Sequence, residues 1–164
     1  MALFVRIKQP RPDLSPAQIC LRFTGYAQDY ADAARELHEF KFVSVRYYLL
    51  GHAFELILKS YILSQGEPEK KIRKLNHSLI KAHDDARALG YAPSDKRLRQ
   101  IVEWLDPFHE NQDFRYAGSS GHVILPKIED ALGIFKSTYA DILPLAKAFY
   151  ALQMKGGAGS PPSG

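Results

Sequence analysis

The chain has 164 residues, 46% apolar and 24% charged, which suits one domain with a single core and excludes an unfolded polyelectrolyte. Its one cysteine, Cys20, excludes an intramolecular disulfide and fits a reducing compartment. The formal net charge of +4 is unevenly placed, with nine Lys or Arg against five acids in residues 67–99. No apolar run approaches the ~20 residues a membrane span needs. The start, Met1-Ala2-Leu3-Phe4-Val5-Arg6, has no basic leader before a longer apolar block, so a soluble cytoplasmic protein without a signal peptide is expected.

Residues 1–14 read as an extended segment. Ser15-Pro16-Ala17-Gln18 then predicts a helix start: Ser15 caps, Pro16 fits the first turn, and Gln18 closes a reciprocal capping box. Ile19, Phe23, Tyr26, Tyr30, Ala33 and Leu37 follow at alternating spacings of four and three, one stripe of a long helix. Phe42, Val45, Leu49, His52, Leu56 and the region of Leu63 outline a second helix, with Glu55 and Lys59 at i, i+4 on its other face. Gln65-Gly66-Glu67-Pro68 ends it.

A third helix is predicted from an Asn76 cap through Leu79, Ala82 and Ala86 to Gly90. Ser94 is read as the cap of a fourth, with Leu98, Ile101, Leu105 and Phe108 facing inward. The last helix begins near Pro126 and shows Ile128, Leu132, Phe135, Tyr139, Ile142, Ala146 and Phe149, with a kink expected at Pro144. Nothing alternates with period two for long enough to argue a strand. The expectation is an all-α, up-down bundle of about five helices over residues 15–153, followed by a disordered Gly/Pro/Ser tail at 154–164.

The basic focus, Lys70, Lys71, Arg73 and Lys74, is read either as a phosphate-attracting surface or as a solvated loop between helices. His52 and Glu55 lie one turn apart and reach one pocket. Such a pair can ligate metal, but no Glu-x-x-His occurs to complete a di-iron pattern, so no metal is expected and His52 is read as a hydrogen-bonded interior histidine. His77 is read as organising a helix start. His83 and His109 have no motif support and are expected to be exposed or locally bonded. Tyr47, Tyr48 and Tyr61 are read as core before base-stacking, and Cys20 as inert packing. Walker, dinucleotide-binding, Cys-x-x-Cys and Gly-x-Ser-x-Gly signatures are missing, and no cofactor is expected.

Leu50-Gly51-His52-Ala53-Phe54-Glu55-Leu56-Ile57-Leu58-Lys59, then Asn76-His77-Ser78-Leu79, then Phe114-Arg115-Tyr116 with His122 beyond, resemble the HEPN superfamily of small all-helical domains over residues 15–152. That resemblance implies a homodimer and two lines of function. Some members are metal-independent endoribonucleases, toxins of toxin–antitoxin pairs with a nucleotidyltransferase-like antitoxin partner. In that case His122 handles the proton transfers and Arg115 steadies the phosphate. Other members are non-catalytic and carry a Phe-Arg-Tyr element, in which Arg115 pairs with an acid such as Glu55 or holds a phosphate. Tyr116 stands where the ribonucleases carry Asn, Asp or His, which favours the second line. The expected function is therefore a module binding RNA, a nucleotide or a protein partner through Lys70, Lys71, Arg73, Lys74 and Tyr116. The alternative is cleavage by Arg115 and His122.

Overall fold

A computed structural model describes residues 14–37, 41–111 and 126–157. Within them the chain is an all-α bundle of six helices: α1 (Pro16–Glu36), α2 (Val43–Ser64), α3 (Glu69–Lys74), α4 (Leu79–Ala88), α5 (Leu98–Glu110) and α6 (Ile128–Gly157). None of these helices is long and apolar enough to cross a membrane.

The start of α1 is as its sequence dictates. Ser15 Oγ accepts from Gln18 N at 3.2 Å, and Gln18 Oε1 accepts from Ser15 N at 2.8 Å. The buried face differs from the predicted stripe. It is the small-residue row Ala17, Cys20, Thr24, Ala27, Ala31 and Ala34, while Tyr26 and Ala33 are exposed. Small side chains let α1 lie close against α2, so the large apolar residues fall to the flanks of the contact. Buried hydroxyls in this seam are satisfied: Thr24 Oγ1 and Ser60 Oγ lie 2.6 Å apart, and the Cys20 thiol faces Ser60 O at 3.2 Å. Burial pushes that thiol up from its ordinary pKa, which fits inert packing.

Helix α2 is the axis of the fold and touches all five other helices. From Arg46 to Leu63 it is buried on nearly every side, with Leu50, Phe54, Ile57, Leu58, Ile62 and Leu63 wholly enclosed. Each such side chain contributes about 1.5–3 kcal/mol of burial free energy. Its predicted single stripe is therefore not a boundary between inside and outside. Phe42 and Val45, at its first turn, stay exposed, and Glu55 and Lys59, placed by the sequence on an outer face, are buried.

The segment read as a loop at residues 69–74 is the short helix α3, docked by buried Ile72. Helix α4 begins one residue after Ser78, whose Oγ caps Lys81 N, and not at Asn76. Asn76 instead takes the left-handed region at φ 50°, which Asn tolerates better than most residues. Gly90 closes α4 at φ 97°. Helix α5 starts after Arg97 without the expected Ser94 cap, and buries Leu98, Ile101, Val102 and Leu105. Helix α6 buries Ile128, Leu132, Phe135, Ile142 and Ala146 as its spacing predicts. It continues through Pro144 to Gly157, four residues into the stretch read as tail. The rest of that tail, and the extended segment up to residue 13, lie outside the described residues.

Candidate functional site

The densest polar constellation in the core is gathered on Glu55. Helix α2 places His52 and Lys59 within about one turn of it on either side. Lys59 Nζ donates to Glu55 Oε1 at 2.5 Å and to the Asn76 carbonyl at 2.6 Å. The left-handed Asn76 turns that carbonyl inward and delivers the next residue, His77, whose Nδ1 lies 3.2 Å from Glu55 Oε2. From α5, His109 Nε2 meets the same oxygen at 2.7 Å. His52 Nδ1 stands 3.7 Å from it, with Tyr30 stacked on the His52 ring at 5.3 Å and Tyr48 edge-on at 4.5 Å.

Only 5% of Glu55 is exposed. Burial alone would raise its pKa, but the His109 hydrogen bond and the Lys59 charge outweigh it and hold the carboxyl at about 2. The site is thus a buried carboxylate kept ionised by the His109 imidazole and the Lys59 ammonium, with His52 and His77 beside it. Its approach from solvent passes His77, whose side chain is 48% exposed, and His52, at 20%.

His109 is the residue the sequence reading missed. It is 2% exposed and bonds across 54 positions, neither exposed nor local. Its signal was its position, four residues after Leu105 on the apolar face of α5. Its Nδ1 has no hydrogen-bond partner among the described residues and rests against Gly51. A Cβ at Gly51 would lie 2.5 Å from that nitrogen, so the glycine makes room for the imidazole. Gly51→Ala is therefore expected to lose about 1–3 kcal/mol in thermal unfolding, the overpacking cost exceeding the gain in helix propensity. Gly25→Ala, whose added methyl meets nothing within 4 Å, should gain up to about 1 kcal/mol. Equal signs for the two would contradict this account of Gly51.

His83 is buried and locally bonded, with Nδ1 3.3 Å from Oδ1 of the adjacent Asp84. Arg46 and His52, both on α2, have separate tasks. Arg46 is buried, donating to Ala34 O at 2.8 Å and lying 3.8 Å from Glu129, while His52 faces Glu55. Tyr47 and Tyr61 are core residues, as read. Tyr61 donates to Leu89 O, and Tyr47 donates to Pro126 O.

The ligand-binding candidates on α3 are separate from this cluster. Lys71 is tied to Glu67 at 3.3 Å and lies 3.7 Å from Asp85; Arg73 is tied to Glu69 at 3.3 Å. Lys70 and Lys74 are exposed and have no ion pair among the described residues. Phe114, Arg115, Tyr116 and His122 lie outside the described residues. The acid named as a partner for Arg115, Glu55, is engaged by Lys59, His77 and His109.

His52, Glu55 and His109 bring one potential metal-ligand atom each within 4.8 Å of one another. The sequence held two of the three as a helical i, i+3 pair, and the fold adds the third from α5. No family model, no curated protein and no solved structure matches this chain.

Proposed function

We propose that the protein is a non-catalytic, HEPN-like helical module that holds RNA by its phosphates through α3. The observation that carries this reading is the pairing pattern of the basic segment. Two of its four cations, Lys71 and Arg73, are paired with neighbouring acids, and buried Ile72 docks the helix. The other two, Lys70 and Lys74, stand one turn apart and exposed beside a cleft of about 450 Å³. Unpaired cations on a rigid helix meet a polyanion with little loss of side-chain pairing, and their release of counterions drives binding. The histidines that approach one another in the core are turned onto Glu55, which suits a scaffold.

Binding of a labelled single-stranded RNA, followed by fluorescence anisotropy across salt concentrations, tests the reading. Contacts from Lys70 and Lys74 to one phosphate each give a log–log salt slope of about −1.4, which Lys70→Gln with Lys74→Gln should abolish. Binding of the double variant with wild-type affinity and slope would sink the assignment to α3.

Metal-independent RNA cleavage by Arg115 and His122 is the second reading. The feature favouring it is that both flanks of the segment carrying them are held on α2: His109 on Glu55 before it, and the Pro126 carbonyl on Tyr47 after it. A nucleotidyltransferase-like antitoxin belongs to that reading as a partner, and a homodimer belongs to both.

A further inference from the structure

We propose that His52, Glu55 and His109 form a three-ligand site for a single divalent transition-metal ion of the zinc class, with a fourth position open towards solvent beside His77. Two histidines and one carboxylate are a donor set that binds zinc with one coordination position left over. The geometry is close to what the ion needs. With metal–ligand bonds of about 2.0–2.2 Å in tetrahedral array, neighbouring ligand atoms lie about 3.4 Å apart. Here Glu55 Oε2 stands 2.7 Å from His109 Nε2 and 3.7 Å from His52 Nδ1, so one of these gaps opens and the other closes by less than an ångström, while the third pair, within 4.8 Å, closes by at most about 1.4 Å.

Both α2 ligands are fixed by helical spacing, and His109 is fixed by burial against Gly51. Lys59 holds the other carboxylate oxygen and so orients Oε2 as a single donor, at the expense of a like charge near the ion. Ligation through Nε2 places the His109 ring proton on Nδ1, which is buried with no hydrogen-bond partner among the described residues, a cost that the metal bond has to outweigh. His77 borders the site, with Nδ1 3.2 Å from Glu55 Oε2, but falls outside the set of ligand atoms that all lie within 4.8 Å of one another.

The test is titration of the EDTA-stripped, dialysed full chain with ZnCl2 by calorimetry, with the Co2+ d–d spectrum as a second readout. One ion per chain is expected. His52→Ala, at the exposed edge of the site, and His109→Gln, which keeps a donor for Glu55, should each weaken binding at least about tenfold, while His77→Ala changes it less. Circular dichroism of each variant checks that it remains folded. No binding by folded wild type, or binding at another stoichiometry that neither His52→Ala nor His109→Gln alters, would overturn the site.

Discussion

Glu55→Gln is expected to lower the stability of the fold by about 3–5 kcal/mol, the cost of leaving one member of a buried ion pair without its counter-charge. Lys59 is only 7% exposed, and its ammonium would keep a neutral amide and the Asn76 carbonyl in place of a carboxylate. The new amide cannot accept from Lys59 and from His109 at once, because one of its two terminal atoms is a donor. For a chain of this size the loss corresponds to a fall in melting temperature of about 10 °C. Replacing both partners, Glu55→Leu with Lys59→Met, should recover much of it, since an apolar pair leaves no buried charge. A Glu55→Gln variant within about 1 kcal/mol of wild type would mean that the carboxylate is neutral or hydrated in the native state.

The same group sets an acid limit. Its folded pKa of about 2 lies below the ordinary 4.5, so the native state holds the ionised form more tightly than the unfolded chain does. That preference contributes about 3 kcal/mol, fully present above pH 4.5 and lost as pH falls from 4.5 through 2. Urea midpoints across this window should fall more steeply for wild type than for Glu55→Gln. Parallel curves would contradict the assignment.

Asp106→Ala is expected to cost about 3 kcal/mol, for a reason that lies in the end of α4. Asp106, 6% exposed on α5, accepts at a single oxygen from Leu79 N at 2.5 Å, Ile80 N at 3.1 Å and Ser78 Oγ at 3.2 Å. A carboxylate from one helix thus satisfies the first amides of another and complements the positive end of its dipole. Without it, two amides at the seam between α4 and α5 lose their acceptor. Asp106→Asn keeps an acceptor oxygen and should retain more than half of the stability. Hydrogen exchange gives the local check: Leu79 and Ile80 amides should lose protection in the Ala variant while α1–α2 amides change only with global stability. Uniform loss of protection would show that the carboxylate acts on the whole core instead.

Local signals with a mechanism were the legible part of this fold. Ser15, Pro16 and Gln18 announced α1 because each satisfies a particular unpaired group at a helix start, and Ile128, Leu132 and Phe135 announced α6 because one face is buried and the other is not. Helix α2 lies where its spacing predicts, but its facing was not legible, since a helix enclosed on all sides has no polar face to orient it. Glu55 and Lys59 therefore looked like an exposed i, i+4 pair. The row Ala17, Cys20, Thr24, Ala27, Ala31 and Ala34 was passed over because close packing selects small volume, which hydropathy does not weigh.

The candidate site was half legible. His52, Glu55 and His77 share short-range context, whereas His109 joins them only through tertiary packing made possible by Gly51. The α3 cations were visible as charge, but which of them are neutralised depends on Glu67, Glu69 and Asp85 taking up positions that no spacing rule supplies.

The proposed function, RNA held and left intact, is open to direct assay. Its most direct test is to incubate purified protein with RNA in EDTA, at a salt concentration where anisotropy reports binding, and resolve the RNA on a denaturing gel. Full-length RNA bound by wild type, and released when Lys70 and Lys74 are replaced by Gln, is the predicted result. RNA cut by wild type, but left whole by folded Arg115→Ala and His122→Ala variants, would contradict it and make the protein a nuclease.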